Sequence, residues 1–354
     1  MKIIVICPIK KDYKDDTDMF CEGFEKLGHK VIRIYMWIEN GKIFSDTIID
    51  KEDCETADVI WAPYEPLIYP ALKLKEDLKI PVVGHLEIIP QQKYNLENYD
   101  NHWYTHISPP TDNNYRELER LLKDFLKCDV KSITGPEVKY RMERFLGRIL
   151  PLNFYIKPYP LDSEMLEKYK KELPLKNQIL TIDTLVPYKR IQHIVIALSL
   201  LKNPPKYIIV GKYHTDVKQK IMEFAKTYKL DIELKGIIGD EEKCHLIQES
   251  LFLVEPMSCL TVTEGAYYKK ASICYDEHIM HERLADMPFY TPANDIPKLA
   301  NSIKILVEGE IFRDNIGNKA YSLLMTDKTN THTLEKACKI VEVMFKEAVE
   351  RYKK

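Results

Sequence analysis

Short apolar runs and amphipathic stretches alternate along nearly the whole chain. Lys2–Cys7 (KIIVIC) reads as a buried strand that stops at Pro8, and a polar loop over 10–18 leads into a helix over 19–27. Gly28 then stands where a left-handed residue commonly ends a helix. Further strands are predicted over 31–37, 57–61 and 80–83, with a helix over 67–78. Over 113–127, Leu118, Leu121, Leu122, Phe125 and Leu126 fall on one helical face. A strand over 130–134 and a helix over 138–146 complete this half. Strands alternating with helices in this way predict a parallel, doubly wound sheet.

Pro151, Pro158 and Pro160 break the pattern over 150–163, which reads as a hinge. A second alternation follows, with strands over 178–182, 206–210, 231–235, 251–254 and 271–275. Its helices are predicted over 191–201, 217–228, 241–249, 261–269 and 296–306, and a last one over 333–352. The predicted fold is α/β with two doubly wound, Rossmann-like domains facing each other across a cleft. The first spans 1–155, with 333–354 crossing back onto it, and the second spans 156–332. Ligands are expected at the carboxyl ends of the strands.

One stretch, 253–276 (LVEPMSCLTVTEGAYYKKASICYD), joins a strand, a turn carrying Ser258 and Cys259, and a helix start. Backbone N–H groups and the positive helix end make such a start a seat for phosphate. Glu264, on this helix, suits the hydroxyls of a ribose. It equally suits a plain capping role.

Charge is nearly balanced, with 52 Lys+Arg against 54 Asp+Glu, which argues against a general nucleic-acid binder. The eight cysteines are scattered without a C-x-x-C pair, the pattern of buried free thiols in a reducing compartment. No apolar run reaches the roughly 20 residues of a membrane span, and the N-terminus lacks a signal-peptide layout. A cytoplasmic protein is expected.

Leu185-Val186-Pro187-Tyr188-Lys189, Ile208-Ile209-Val210-Gly211, the segment 234–241 (LKGIIGDE), Val254-x-Pro256, Thr263-Glu264-Gly265-Ala266 and the strand ending Cys274-Tyr275-Asp276 occur in one order. In that series the second half resembles the donor domain of glycosyltransferase family 4, enzymes of the GT-B fold. In the first half, Gly28-His29-Lys30-Val31 and Ile80-Pro81-Val82-Val83 resemble the acceptor domain. The resemblance implies sugar transfer from a nucleotide-diphosphate donor, UDP- or GDP-linked, to a hydroxyl of a glycan or lipid-linked acceptor. It further implies retention, no metal and no cofactor beyond the nucleotide sugar. It places Lys189, aided by Arg190, on the diphosphate, together with the amides of Leu260, Thr261, Val262 and Thr263. Thr184 and Gly211 also line the implied donor site, and Glu264 takes the ribose.

The sequence departs from the family at three points. Thr184 stands where the family carries an arginine. The first acid of the family's paired-glutamate signature falls on Pro256, leaving Glu255 as the neighbouring candidate acid. The glycine-rich N-terminal loop is replaced by Asp15, Asp16, Thr17 and Asp18, and Asp16 and Asp18 are expected to meet acceptor hydroxyls or solvent.

His85 and Glu87 follow the predicted strand 80–83 and are candidates for sugar binding or proton relay. Trp103 and Tyr104 are candidates for stacking on a sugar face. Asp276, His278, His281 and Glu282 match no strong metal-ligand spacing, and no metal is expected. Lys139, Arg141, Arg144 and Arg148 make one helix basic, so contact with an anionic membrane face is a further expectation. Two other readings are a non-catalytic GT-B protein that binds nucleotide sugar or glycan, and a GT-B sugar-nucleotide epimerase.

Overall fold

The computed structural model describes residues 1–8, 16–39, 42–45, 47, 51–86, 112–150, 153–326 and 331–353. They form two compact units, one from residues before 161 together with His332–Lys354, the other from Leu161–Thr331.

The first unit holds a seven-stranded sheet among its described residues. Its strands are β1 (Lys2–Cys7), β2 (Lys30–Glu39), β3 (Lys42–Ser45), β4 (Val59–Ala62), β5 (Val82–Leu86), β6 (Val130–Ile133) and β7 (Tyr155–Ile156). They lie in the order β3-β2-β1-β4-β5-β6-β7. All neighbours pair parallel except the β2–β3 hairpin. Fully buried parallel strands need apolar residues on both faces, as β1 and β4 show. Trp61 of β4 packs edge-on against Phe20, Phe24 and Phe345, with ring centroids 5.3, 5.7 and 5.9 Å apart. Phe345 comes from the last helix, Leu334–Tyr352, whose Ala337, Cys338, Val341, Met344 and Ala348 are buried in the same cluster. Each large apolar side chain so buried contributes about 1.5–3 kcal/mol.

The second unit carries, among its described residues, a six-stranded, all-parallel sheet. After β8 (Tyr159–Leu161), which lies at the boundary of the units and outside this sheet, come its strands β9 (Gln178–Ile182), β10 (Lys206–Val210), β11 (Ile232–Gly236), β12 (Phe252–Val254), β13 (Ser272–Asp276) and β14 (Phe289–Pro292). The order is β11-β10-β9-β12-β13-β14. The chain therefore winds one way from β9 to β11, then returns to β12 on the other side of β9. That reversal is the topological switch point of a doubly wound sheet, where ligands sit outside the carboxyl ends of the strands.

Several element boundaries move from the sequence reading. The first helix spans Asp16–Lys26, so Asp16 and Asp18 lie in its first turn rather than in a loop. Acids there are favoured by the positive helix end. The strand read as 80–83 is Val82–Leu86, which puts His85 inside it. The helix read as 261–269 is Leu260–Tyr267, which moves Glu264 past its first turn. Among the elements that escaped the sequence pattern are β3, β7, β8, β14 and the helices Lys51–Glu55, Ser163–Lys168, His278–Leu284 and Glu310–Met325.

Candidate functional site

The candidate site lies at the switch point between β9 and β12 of the second unit. Strand β9 ends at Ile182, and Asp183 follows, bonded through its amide to the Val210 carbonyl at 2.9 Å. Gly211 makes this turn possible. Its φ of +135° suits glycine, and a Cβ there would collide with the Asp183 carbonyl.

Beyond Asp183 the chain turns through Pro187–Lys189 and enters the helix Ile191–Ser199 through Arg190, whose φ is +56°. Lys189 is anchored twice. Its Nζ lies 2.7 Å from an Asp183 carboxylate oxygen and donates to the Met257 carbonyl at 3.2 Å. Burial alone would lower the Lys189 pKa, but Asp183 outweighs it and holds the ammonium charged, above the ordinary lysine value. Arg190 is buried and paired with Glu277, and its Nη1 lies 3.6 Å from Met257 Sδ. Its guanidinium also sits 5.6 Å from the Tyr275 ring centroid, and the Tyr275 hydroxyl meets His193 Nδ1 at 2.8 Å. Thr184 is exposed, and its amide donates to the Asp183 side chain at 2.7 Å.

Strand β12 stops at Val254 and hands over to Glu255, which is 1% exposed. One oxygen of Glu255 accepts from the Ile182 amide at 2.7 Å, while Oε2 is buried without a hydrogen-bond partner among the described residues. Burial, and then the Asp183 charge, push Glu255 well above the usual carboxylate range. A neutral carboxylic acid fits both facts, because its O–H needs less compensation than a charge would. So placed, Glu255 ties β12 to β9.

The turn Met257–Cys259 leads into the helix Leu260–Tyr267. Among the described residues no side chain caps that N-terminus, and no acid occupies its first turn, so the positive helix end is open to an anion. Thr261 Oγ1 donates to the Ile182 carbonyl at 2.9 Å and Thr263 Oγ1 to the Leu260 carbonyl at 2.7 Å. Val262 packs into the core. Glu264 is 6% exposed and accepts from Lys243 Nζ at 2.8 Å, across from the helix Asp240–Glu249. Burial opposes the Lys243 charge, but Glu264 outweighs it and raises the lysine above its ordinary value.

The structure thus gathers Thr184, Lys189, Arg190, Gly211, Glu255 and the Leu260–Glu264 segment at one sheet edge. Sequence reading missed Asp183, Lys243 and Glu277, which hold three of those side chains. Only Asp183 had a local signal, an acid at a strand end. In the first unit, His85 is fully buried, with Nδ1 3.0 Å from Ser132 Oγ of the next strand. Asp16 is bonded by the Tyr64 hydroxyl and by Lys157 Nζ at 3.1 Å. That places Asp16 beside the carboxyl ends of β1 and β4, the switch point of the first sheet. Asp18 lies half-buried in the same helical turn. Glu87, Trp103 and Tyr104 lie outside the described residues. The Asp276–His281 contact, 2.7 Å, is a two-residue hydrogen bond, and no group of metal-ligating side chains forms among the described residues.

The whole chain resembles three solved structures in particular. HepE of Anabaena, in complex with UDP-glucose, superposes with a TM-score of 0.71 at 13% identity, over 97% of this chain and 99% of that one. Sucrose-phosphate synthase from Thermosynechococcus elongatus gives 0.73 at 12% identity, over 98% of each chain. A glycosyltransferase from Rickettsia africae gives 0.63 at 14%, over 99% of this chain and 98% of that one. No protein-family model and no curated protein sequence matches the chain. At these identities the likeness is one of fold. The chain has the GT-B fold, with two Rossmann-like domains.

Proposed function

We propose that the protein is a glycosyltransferase of the family 4 type, moving a sugar from a nucleotide diphosphate to an acceptor hydroxyl. The observation that carries this reading is the Lys189 ammonium, held charged by Asp183 and bonded to the turn before the uncapped Leu260–Tyr267 helix. A fixed cation beside a helix N-terminus is what a departing diphosphate requires. Glu264 is within reach of a ribose on the same helix, provided the hydroxyls replace or share its bond to Lys243. Structures of the same fold in complex with UDP-glucose and with UDP and glucose support a nucleotide-sugar donor.

In this proposal the bond between the anomeric carbon and the diphosphate oxygen breaks while the acceptor oxygen bonds the same face. The acceptor proton passes to the departing diphosphate. Lys189 and the helix amides supply the positive charge, without a metal. The first domain binds the acceptor, a glycan or lipid-linked sugar, with Asp16 at its switch point. Tyr140 and Ile149 are exposed, and Arg144 and Arg148 share their stretch of chain, which supports peripheral membrane contact during acceptor binding.

A second reading, nucleotide-sugar binding without transfer, is favoured by one observation: Glu255 is sealed in the core and bonded to backbone. Incubation with UDP- and GDP-sugars, an acceptor panel and a metal chelator separates the two. The proposal expects transfer products whose anomeric configuration, read by NMR, equals that of the donor. Tight donor binding without product from any acceptor favours the second reading. Donor epimerisation without acceptor points instead to an epimerase.

A further inference from the structure

Glu264 has one carboxylate oxygen in use and one open. Its Oε1 accepts from Lys243 Nζ at 2.8 Å. Its Oε2 accepts no hydrogen bond among the described residues and, unlike Glu255 Oε2, is not sealed from solvent. The residue as a whole is 6% exposed. A carboxylate so nearly buried, with one oxygen unpartnered, is short of a hydrogen-bond donor.

Lys243 has a second acid at hand. Asp240 lies three residues earlier on the helix Asp240–Glu249, and so on the same face. Its carboxylate is 3.6 Å from Lys243 Nζ, inside ion-pair range but beyond a hydrogen bond. The other acids of that turn are already taken, Glu241 by Lys171 at 3.4 Å and Glu242 by Lys235 at 2.7 Å. Among the described residues Asp240 has no ion pair but the one with Lys243. Burial disfavours the Lys243 charge, and Glu264 and then Asp240 hold it. The ammonium thus sits between two carboxylates. It is hydrogen-bonded to the buried one and only paired in charge with the exposed one.

A diol that approaches Glu264 needs both oxygens, since each hydroxyl donates one hydrogen bond. Oε2 is open to the first hydroxyl, while Lys243 holds Oε1 against the second. A turn of the lysine side chain toward Asp240 removes that obstacle. Coulomb attraction falls only as the inverse of distance, so an ammonium moved by about 1 Å keeps most of its attraction to Glu264 while its hydrogen bond passes to Asp240. Asp240 is half-exposed, which makes it the weaker partner as long as Oε1 is unclaimed.

We propose that Asp240 is a positioning residue for a ribose diol at Glu264: it receives Lys243 when the diol binds, and so frees Glu264 Oε1 for the second hydroxyl. This rests on the nucleotide-sugar reading above and adds to it the means by which the site selects a diol over a deoxyribose.

The test is calorimetric titration of wild type, Asp240→Asn and Asp240→Glu. The probes are whichever of UDP, GDP and ADP wild type binds most tightly, and the 2′-deoxy and 3′-deoxy forms of that nucleotide. Wild type should bind the parent about tenfold more tightly than either deoxy form, the loss expected when a hydrogen bond to a carboxylate is removed. Asp240→Asn should bind the parent about threefold to fivefold more weakly than wild type does, since Lys243 then keeps Oε1. For one of the two deoxy forms, its preference for the parent should shrink to within about twofold. Asp240→Glu should restore the wild-type pattern. Asp240 is exposed at a helix start, so the variants should stay folded, which thermal melts check. Equal losses for the parent and both deoxy forms, or no loss for any, overturn the role of Asp240 and leave the proposed function standing. A wild type that binds the nucleotide and its deoxy forms equally overturns this inference and takes the ribose away from Glu264. A wild type that binds no nucleoside diphosphate overturns the proposed function as well.

Discussion

The Asp183 carboxylate lies 2.7 Å from the Lys189 ammonium, and both sit at the switch point of the second sheet. The acid keeps the cation charged and aimed in a half-buried position. Asp183→Asn should therefore destabilise the protein by about 2 kcal/mol at neutral pH, since it strands a partly buried charge. A group whose folded pKa is raised stabilises the fold below its unfolded pKa and loses that contribution as pH rises through the folded value. For Lys189 the gap between wild type and Asp183→Asn should thus persist through neutrality and close only above about pH 10. Urea melts across pH check this.

Gly211 lets the β10 end pass against the Asp183 carbonyl. Gly211→Ala combines an unfavourable positive φ with a steric collision, so a loss of about 3 kcal/mol or more is expected. Nucleotide binding should fall with it, because the Asp183 turn must move. A variant with unchanged melting temperature would show that the turn has room the structure denies.

Burial, and then the Asp183 charge, push the Glu255 carboxyl well above the usual carboxylate range. Its raised folded pKa means that the contribution to stability is present in acid and lost as pH climbs past the ordinary glutamate value. Glu255→Gln keeps the acceptor for Ile182 N–H and removes the titration. Its stability should match wild type near pH 4 and exceed it increasingly toward pH 8, by about 1–3 kcal/mol. A pH-independent difference would mean that Glu255 is charged in the fold.

Lys243→Met leaves Glu264 buried without its cation and should cost about 2–4 kcal/mol in the free protein. If ribose hydroxyls donate to Glu264, nucleotide restores part of that loss. The nucleotide-induced thermal shift should then be larger in Lys243→Met than in wild type. An equal or smaller shift would place the ribose elsewhere.

Much of this was legible in the chain. The apolar runs of β1, β4, β9 and β10 announced a buried parallel sheet because such strands have no polar face to confuse the pattern. The strand containing His85 was read short at Gly84, although that glycine is there because Cys128 packs against it, not because the strand ends. Helix Glu310–Met325 was invisible because its buried positions, Arg313, Gly317, Ala320 and Leu324, form no apolar stripe. Edge strand β14, with its Pro292, had little hydrophobic signal. At the site, Lys189, Gly211 and Glu264 were singled out by the resemblance to glycosyltransferase family 4, and Glu264 also by its place on the helix after β12. Lys243, which bonds Glu264, and Glu277, which pairs with Arg190, were not, since they come from separate elements and meet only in the folded sheet.

The central claim is that a nucleoside diphosphate binds at the Leu260–Tyr267 helix start through Lys189 and Glu264. Calorimetric titration of UDP, GDP and ADP into wild type, Lys189→Ala and Glu264→Ala tests it most directly. Ligand at about 100 times its dissociation constant adds roughly 2.7 kcal/mol of apparent stability, so melting curves give an independent reading. The account predicts one favoured nucleotide whose affinity falls at least about tenfold in both variants while the fold survives. A wild type that binds none of the three, or variants that bind as wild type does, would contradict it.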